Sequence, residues 1–458
     1  MTALAGTHPK TRHYPATRLL LTSQLVFNVG FYAVVPFLAL VMSRDFGMAA
    51  TAVGVVLGAR VFSQQGLFLA GGMITDHWGP RRAMLAGCVV RVCGYLTLAC
   101  AGGFPLFLLG AVLTGMGGAL FSPALESLVG QAEERRRHTG GKSPSTFALL
   151  TMVGEAGAVA GPLVGALLLG VSFSTAALAG AAIFAAMTGI LWTLLPAEEA
   201  PQAKPKDSGT MLHGVKILLR NRRFVAFAAL YSVNLLAYNQ LYFGLPVELT
   251  RTGAGPGALA GLFATASVLT VALQWPVSRL MGRLGATKAL VSGFALQSFG
   301  FAAAAALAPV PAPAGGPGQL LAPLLLVAGL CLGHMCTVPV AMSLVLDFAR
   351  GRPSGIYYGL VASMGGCAVL AGNTVLGPLY AGAASPGPAA VLPWVVMAAL
   401  AATPAVVLPR LLHRPSGAVR ANLSPAATPA TPDGRTAGVR HQQKEQVSPC
   451  PNDDSKQG

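Results

Sequence analysis

Twelve apolar runs divide this chain, at 18–42, 50–75, 83–102, 104–128, 146–170, 173–195, 223–248, 256–281, 286–309, 319–347, 355–382 and 388–412. Each approaches or exceeds the roughly 20 residues that a helix needs to cross a bilayer. No other feature constrains the fold as strongly. In hydrocarbon every backbone N–H and C=O must be satisfied internally, so runs of this length can only be helices. The charge content agrees. Only 10% of the 458 residues are charged, whereas a soluble domain carries about 25%. Such a chain cannot clothe a water-facing surface. The expected fold is all-α and membrane-integral, with twelve transmembrane helices. The first 17 residues are polar and the first run is too long for a signal core, so no cleavable leader is expected.

The charge that remains is lopsided: 31 Lys and Arg against 15 Asp and Glu, a net of +16. In a soluble protein this balance would point to nucleic acid. Here the cations cluster in alternate segments between the runs, so topology explains them and no nucleic-acid partner is expected. Arg44 and Arg251 fall on the opposite side, and Arg60 and Arg91 fall within helices. This positive-inside bias predicts a multi-pass protein of the cell (inner, cytoplasmic) membrane with both termini in the cytoplasm. The expected domains are a cytoplasmic segment 1–17, a six-helix bundle 18–195, a cytoplasmic linker 196–222, a second six-helix bundle 223–412 and a cytoplasmic tail 413–458. The tail, rich in Pro, Ala, Ser and Thr, cannot bury enough apolar surface to fold and is expected to be disordered. The Pro- and Gly-rich stretch Pro311–Pro317 reads as a loop insert.

The two halves echo one another. Gly79 closes the turn between helices 2 and 3, and Gly285 the turn between helices 8 and 9, 206 residues later. Gly161-Pro162 in helix 5 returns as Gly377-Pro378 in helix 11, 216 residues later. Similar offsets predict two bundles related by a pseudo-two-fold axis, with a substrate site near the midplane between them.

The turn itself reads Gly72-Met-Ile-Thr-Asp76-His-Trp-Gly79-Pro-Arg81-Arg82. Gly72 offers close approach to another helix, Gly79 and Pro80 force the reversal, and Arg81 and Arg82 hold the turn inside. It resembles the helix 2–3 signature of the major facilitator superfamily, Gly-x-x-x-Asp-Arg-x-Gly-Arg-Arg/Lys. His77 stands where that pattern has Arg, and Pro80 is a further departure. In helix 5, Gly157, Gly161 and Gly165 recur every four residues and form one groove, which Pro162 bends. A tight helix contact would account for the groove by itself. The stretch also resembles the superfamily's antiporter motif, with Ala166 at its last glycine. That motif implies exchange of substrate for protons. Val53-Gly54, the run Arg60 to Gly66, Gly115 to Pro123, and Pro36 resemble multidrug efflux proteins of the MdtH type. The resemblance implies helices 1, 4, 7 and 10 around a central cavity.

Glu155 is the only carboxylate well inside a helix. At that depth it must be neutral, paired or facing water. It is either the proton carrier or an ion-pair partner of Arg91 or Arg60. For the cavity, helix 1 offers Gln24, Asn28 and Tyr32, helix 7 offers Tyr231, Asn234, Tyr238 and Tyr242, and helix 10 offers His334 and Met335. The helix 7 spacing of three, four and four puts those side chains on one face. That face lines the cavity, meets headgroups or packs on other helices. Cys88, Cys93, Cys100, Cys331, Cys336 and Cys367 read as small buried apolar groups, and no metal-ligand spacing occurs. No phosphate loop or catalytic constellation stands out, so neither a cofactor nor an enzyme is expected. The expected function is proton-driven export of drug-like or antibiotic small molecules by a monomer in the bilayer, with the proton gradient as energy source. A facilitator or importer on the same fold is the alternative, and a receptor or membrane enzyme is a third possibility.

Overall fold

The computed structural model describes residues 17–138, 146–195, 218–311, 317–349 and 355–412. The amino-terminal segment, most of the linker, the centre of the 311–317 insert and the tail lie outside the described residues, along with the expectations placed on them. The described residues belong to one unit, Met1–His413. Twelve helices among them are long and apolar enough to cross a membrane.

In chain order these are α1 (Thr17–Arg44), α2 (Ala50–Val61, a π-turn at Phe62–Gly66, then Phe68–Trp78), α3 (Pro80–Ala99) and α4 (Phe104–His138). Next come α5 (Thr146–Leu169), α6 (Phe173–Leu194), α7 in two pieces (Arg222–Asn239 and Gly244–Thr252) and α8 (Pro256–Leu284). The last four are α9 (Ala286–Leu307), α10 (Leu321–Ala349), α11 (Gly355–Ala381) and α12 (Leu392–Leu412). The side where α1 begins and α12 ends is termed the terminal face, the other the far face. Two elements depart from the expected regular helices. A π-turn carries one extra residue per turn, so it re-aims Gln64 and Gln65 of α2. At the break in α7 the Gln240 amide donates to the Leu236 carbonyl and to Asn373, and its oxygen accepts from the Tyr380 hydroxyl.

Packing repeats with the six-plus-six register. In the first half α3 packs on α4 and α6, and α1 on α5; in the second α9 packs on α10 and α12, and α7 on α11. Two seams join the halves, α2 against α11 and α5 against α8. A two-fold exchange of the halves turns one seam into the other, so the contacts carry the pseudo-symmetry. The turn glycines carry it too. Gly79 has φ 86° and ψ 149°, and Gly285 has φ 82° and ψ 160°. This region is open to glycine and costly for other residues, so both positions require glycine. Each is followed by the first residue of the next helix, Pro80 or Ala286.

Three sequence expectations change. The close approach assigned to Gly72 belongs to Gly71, where an added Cβ would run into the Ala119 carbonyl of α4; nothing lies within 4 Å of one at Gly72. The reason is rotational: one residue turns the helix by about 100°, which faces Gly71 to α4. Gly71→Leu should therefore cost about 1–3 kcal/mol or more through overpacking, whereas Gly72→Ala should be nearly neutral. Melting curves of the purified variants check this, and equal losses would refute it. Second, Cys93, Cys100 and Cys367 are exposed rather than buried, while Cys88, Cys331 and Cys336 are buried. Exposed thiols on a bilayer-spanning helix can meet acyl chains without cost, so apolar surroundings did not require burial. Third, α7 is not one helix: Tyr242 lies in the break, beyond the end of the regular piece at Asn239.

Candidate functional site

A cavity of about 260 Å³ lies between the halves. Its walls come from α1, α2, α4, the end of the first piece of α7 and the α7 break. Gln24, Asn28 and Tyr32 of α1 line it, as do Tyr238 and Tyr242 of α7. Arg60, Gln64 and Gln65 line it from α2. The lining thus includes α2, which the superfamily resemblance did not imply, and no residue of α10. Of these lining residues, Gln64, Gln65 and Asn239 were not singled out in the sequence. The adjacent glutamines in an apolar run were a signal for the first two.

The α1 wall is anchored to α5. The Asn28 side-chain amide donates to the Gly154 carbonyl at 2.8 Å, and Gln24 donates to the Asn28 carbonyl oxygen at 3.4 Å. The glycine groove of α5 makes this approach possible. A Cβ at Gly157 would lie 2.7 Å from the Asn28 Cβ, and one at Gly161 2.5 Å from the Tyr32 Cβ. One at Gly165 would run into the Ala33 carbonyl. The three glycines therefore pack on successive turns of α1, directly behind Asn28 and Tyr32. Pro162 is buried inside a helix that continues through it.

Glu155 follows Gly154 and is half-buried on the α5–α8 seam, with the Ser267 hydroxyl of α8 as its polar neighbour. Tyr32 is near enough to both Glu155 and Arg60 to feel the charge of each. Neither Arg60 nor Arg91 has Glu155 among the charges acting on it. The carboxylate therefore sits at a junction of the two halves, near the tyrosine wall.

The other helix 7 and helix 10 candidates lie elsewhere. Tyr231 stacks on Phe227, centroids 6.0 Å apart, in a separate apolar cluster. Asn234 is buried, and its carbonyl oxygen accepts from Gln297 of α9 at 2.7 Å and from Thr337 of α10 at 2.8 Å. Its amide meets His334 Nδ1 at 3.2 Å. The His334 ring stacks on Tyr238, centroids 4.1 Å apart, and so stands behind the cavity wall. Met335 is buried in the core. Asn234 ties three helices, and its polar groups are spent on that task.

Two buried arginines flank Phe31. Arg60 is 5% exposed and lies 5.1 Å from the Phe31 centroid; its Nη1 donates to Gln64 at 3.2 Å. Arg91 is 1% exposed and lies 3.9 Å over Phe27 and 5.2 Å from Phe184. All three guanidinium nitrogens of Arg91 and the Nε of Arg60 find no hydrogen-bond partner. The nearby Tyr95 hydroxyl donates instead to the Gly30 carbonyl at 3.1 Å. Aromatic faces offset part of such burial, by about 2 kcal/mol for a desolvated contact.

In the α2–α3 turn, Arg81 donates to the Trp192 carbonyl at 2.7 Å and lies over that indole, so it clamps the turn to the end of α6. Arg82 is exposed. Asp76 is on the last turns of α2 by its backbone, and its side chain lies outside the described residues.

A family model described as Major Facilitator Superfamily matches residues 20–373. An MFS-type transporter of Mycobacterium tuberculosis, named as uncharacterized, is 32% identical over 371 residues, 80% of this chain and 86% of that protein. The multidrug resistance protein MdtH of Yersinia pestis is 32% identical over 260 residues, 57% of this chain and 63% of that protein. The match therefore spans less than two thirds of MdtH. Among solved structures, the nucleoside transporter NupG has a TM-score of 0.68 at 14% identity, covering 87% of this chain and 99% of that one. An auto-inhibited peptide transporter of the POT family has a TM-score of 0.69 at 15% identity, covering 87% and 97%. At such identities the likeness is one of fold.

Proposed function

Since the chain belongs to the major facilitator superfamily, a family of membrane transporters rather than enzymes, we propose that it is a proton-coupled exporter of drug-like or antibiotic small molecules. The observation that carries the reading is the position of Glu155. It is a carboxylate within a membrane-spanning helix, on the seam between the halves and beside the wall of the cavity. A group there can take a proton from one side and lose it to the other as the seam opens and closes. The aromatic lining with scattered amides suits amphipathic organic molecules. The tight packing of the α5 glycines on α1, in a stretch similar to the antiporter motif, favours exchange over facilitated import. The name of the MdtH relative points to drugs as cargo. Release would be outward, from a cell membrane with both termini in the cytoplasm, by a monomer using no cofactor beyond the proton gradient. Such export would confer resistance on the host.

A second reading, a facilitator or importer of another solute, keeps the same cavity but needs no proton site. Proteoliposomes with an imposed proton gradient decide between them. Uphill movement of a fluorescent drug-like dye, collapsing with an uncoupler and accompanied by proton counterflow, is expected. Equilibration without accumulation, whatever the gradient, would overturn the antiporter reading.

A further inference from the structure

We infer that the cargo of this cavity carries an anionic oxygen group, most simply a carboxylate, which is received by Arg60 with the buried Arg91 charge behind it. The inference rests on the transporter reading and names the class of substrate. Three observations converge on it. Among the described residues the only charged side chain lining the cavity is Arg60, and the amides of Gln24, Asn28, Gln64 and Gln65 beside it have N–H groups to donate; the Asn28 and Gln64 oxygens already accept, from Gln24 and Arg60. Arg60 is buried, and its Nη1 has only the neutral Gln64 oxygen as acceptor. Arg91 is more deeply buried, just behind the lining ring of Phe27, and the neutral Tyr95 hydroxyl is the polar group beside its guanidinium, none of whose nitrogens makes a well-aligned hydrogen bond among the described residues.

Two like charges so placed repel each other, and each also carries the cost of leaving water. Buried charges inside membrane helices are almost always paired. Around Arg60 stand the neutral tyrosines Tyr32, Tyr95 and Tyr242, around Arg91 stand Tyr95, Cys88 and the like charge of Arg60, and no carboxylate among the described residues pairs with either. Gln64 accepts from Arg60, and both Gln64 and Arg91 border Gly118, where an added Cβ would lie 2.7 Å from an Arg91 nitrogen and 3.1 Å from the Gln64 amide carbon. An anion entering at Arg60 would supply the missing counter-charge, while the rings of Phe31, Tyr32 and Tyr238 receive an aromatic body. The guanidinium fork matches a carboxylate in a way no point charge does. Glu155, which meets Ser267 on the α5–α8 seam, is left free for the proton.

The test uses the purified full-length protein in nanodiscs, at neutral pH in chloride-free gluconate buffer. The probes are 1-naphthoate, its methyl ester and 1-naphthylmethylammonium, which share the aromatic body and differ in charge. Binding is read by calorimetry and by the melting temperature. Naphthoate is expected to bind and stabilise, and the ester and the ammonium compound to bind much more weakly. Arg60→Gln should lower naphthoate affinity about tenfold to a hundredfold, the size of a hydrogen bond to a charged group. Arg60→Lys should retain the preference for the acid. The comparison of the three probes on the unaltered protein stands even where a variant misfolds. Equal binding of ester and acid, binding of none of the three, or unchanged naphthoate affinity in Arg60→Gln would overturn the inference. So would chloride that stabilises as well as naphthoate, since the site would then hold a resident ion. Proton-driven movement of a neutral or cationic dye together with failed naphthoate binding would refute the anionic cargo and leave the exporter reading intact. Arg60-dependent naphthoate binding without proton coupling would do the reverse.

Discussion

Glu155→Gln is expected to reduce gradient-driven transport to the level of empty vesicles while leaving substrate binding within about twofold of the original. Glutamine keeps the shape and still meets the Ser267 hydroxyl across the α5–α8 seam. What it loses is a titratable proton, and a coupling site without one cannot link the gradient to the conformational cycle. The cavity wall should be undisturbed, because Asn28 is held by the backbone carbonyl of Gly154 and not by the Glu155 side chain. The outcome also separates two roles. A carboxylate serving as counter-ion to Arg60 or Arg91 would leave an unpaired buried cation when neutralised, at a cost of about 3–5 kcal/mol. The variant would then express poorly and melt early. Glu155 is not among the charges acting on either arginine, so normal yield and melting temperature are expected. Full uphill transport by the glutamine variant would exclude Glu155 as the proton carrier.

The parts of this protein that were legible in its sequence are those set by local chemistry. Span ends followed from the length of apolar runs, and the turns at Gly79 and Gly285 from a backbone conformation that favours glycine. The α5 groove followed from a four-residue spacing, and its partner, α1, is the helix that supplies the cavity wall. What could not be read depended on distant partners or on broken periodicity. Tyr231, Asn234 and Tyr238 lie on one regular piece of α7, yet of these only Tyr238 lines the cavity, joined by Tyr242 from the break after Asn239. Asn234 looks like a cavity amide until Gln297 and Thr337, from two other helices, are seen to occupy its oxygen. Gln64 and Gln65 reach the cavity through a π-turn that no proline announces. Arg60 and Arg91 were legible as buried charges, but their lack of a carboxylate partner is a property of the packed bundle alone.

The second large effect is expected from a covalent lock on the α2–α11 seam. Contacts along that seam run from Thr51 against Gly377 near the far face to Leu69 against Gly359 near the terminal face. Between these, Gly54 meets the Asn373 carbonyl, and Ser363 donates to the Gly66 carbonyl at 3.1 Å. The far side is held further by Arg44 of α1, which donates to Thr250 and to the Ala254 carbonyl beyond α7, each at 3.4 Å. A cavity sealed along this length can exchange its contents only when one end of the seam parts. A Cβ at Gly359 would lie 3.0 Å from the Leu69 Cβ, and a disulfide needs about 3.5–4.5 Å between them. A shift of about half an ångström is enough to join them. Leu69→Cys with Gly359→Cys, in a background without native cysteines, should therefore oxidise readily and stop transport. A reductant should restore transport to the level of the two single variants. The cross-link constrains only the terminal-face end, so the far-face end could still open to the cavity. A single round of exchange at that face should survive while net transport falls to background. Transport that continues with the disulfide fully formed would mean that the terminal-face end of α2–α11 need not part. The moving element would then have to be sought at the α5–α8 seam.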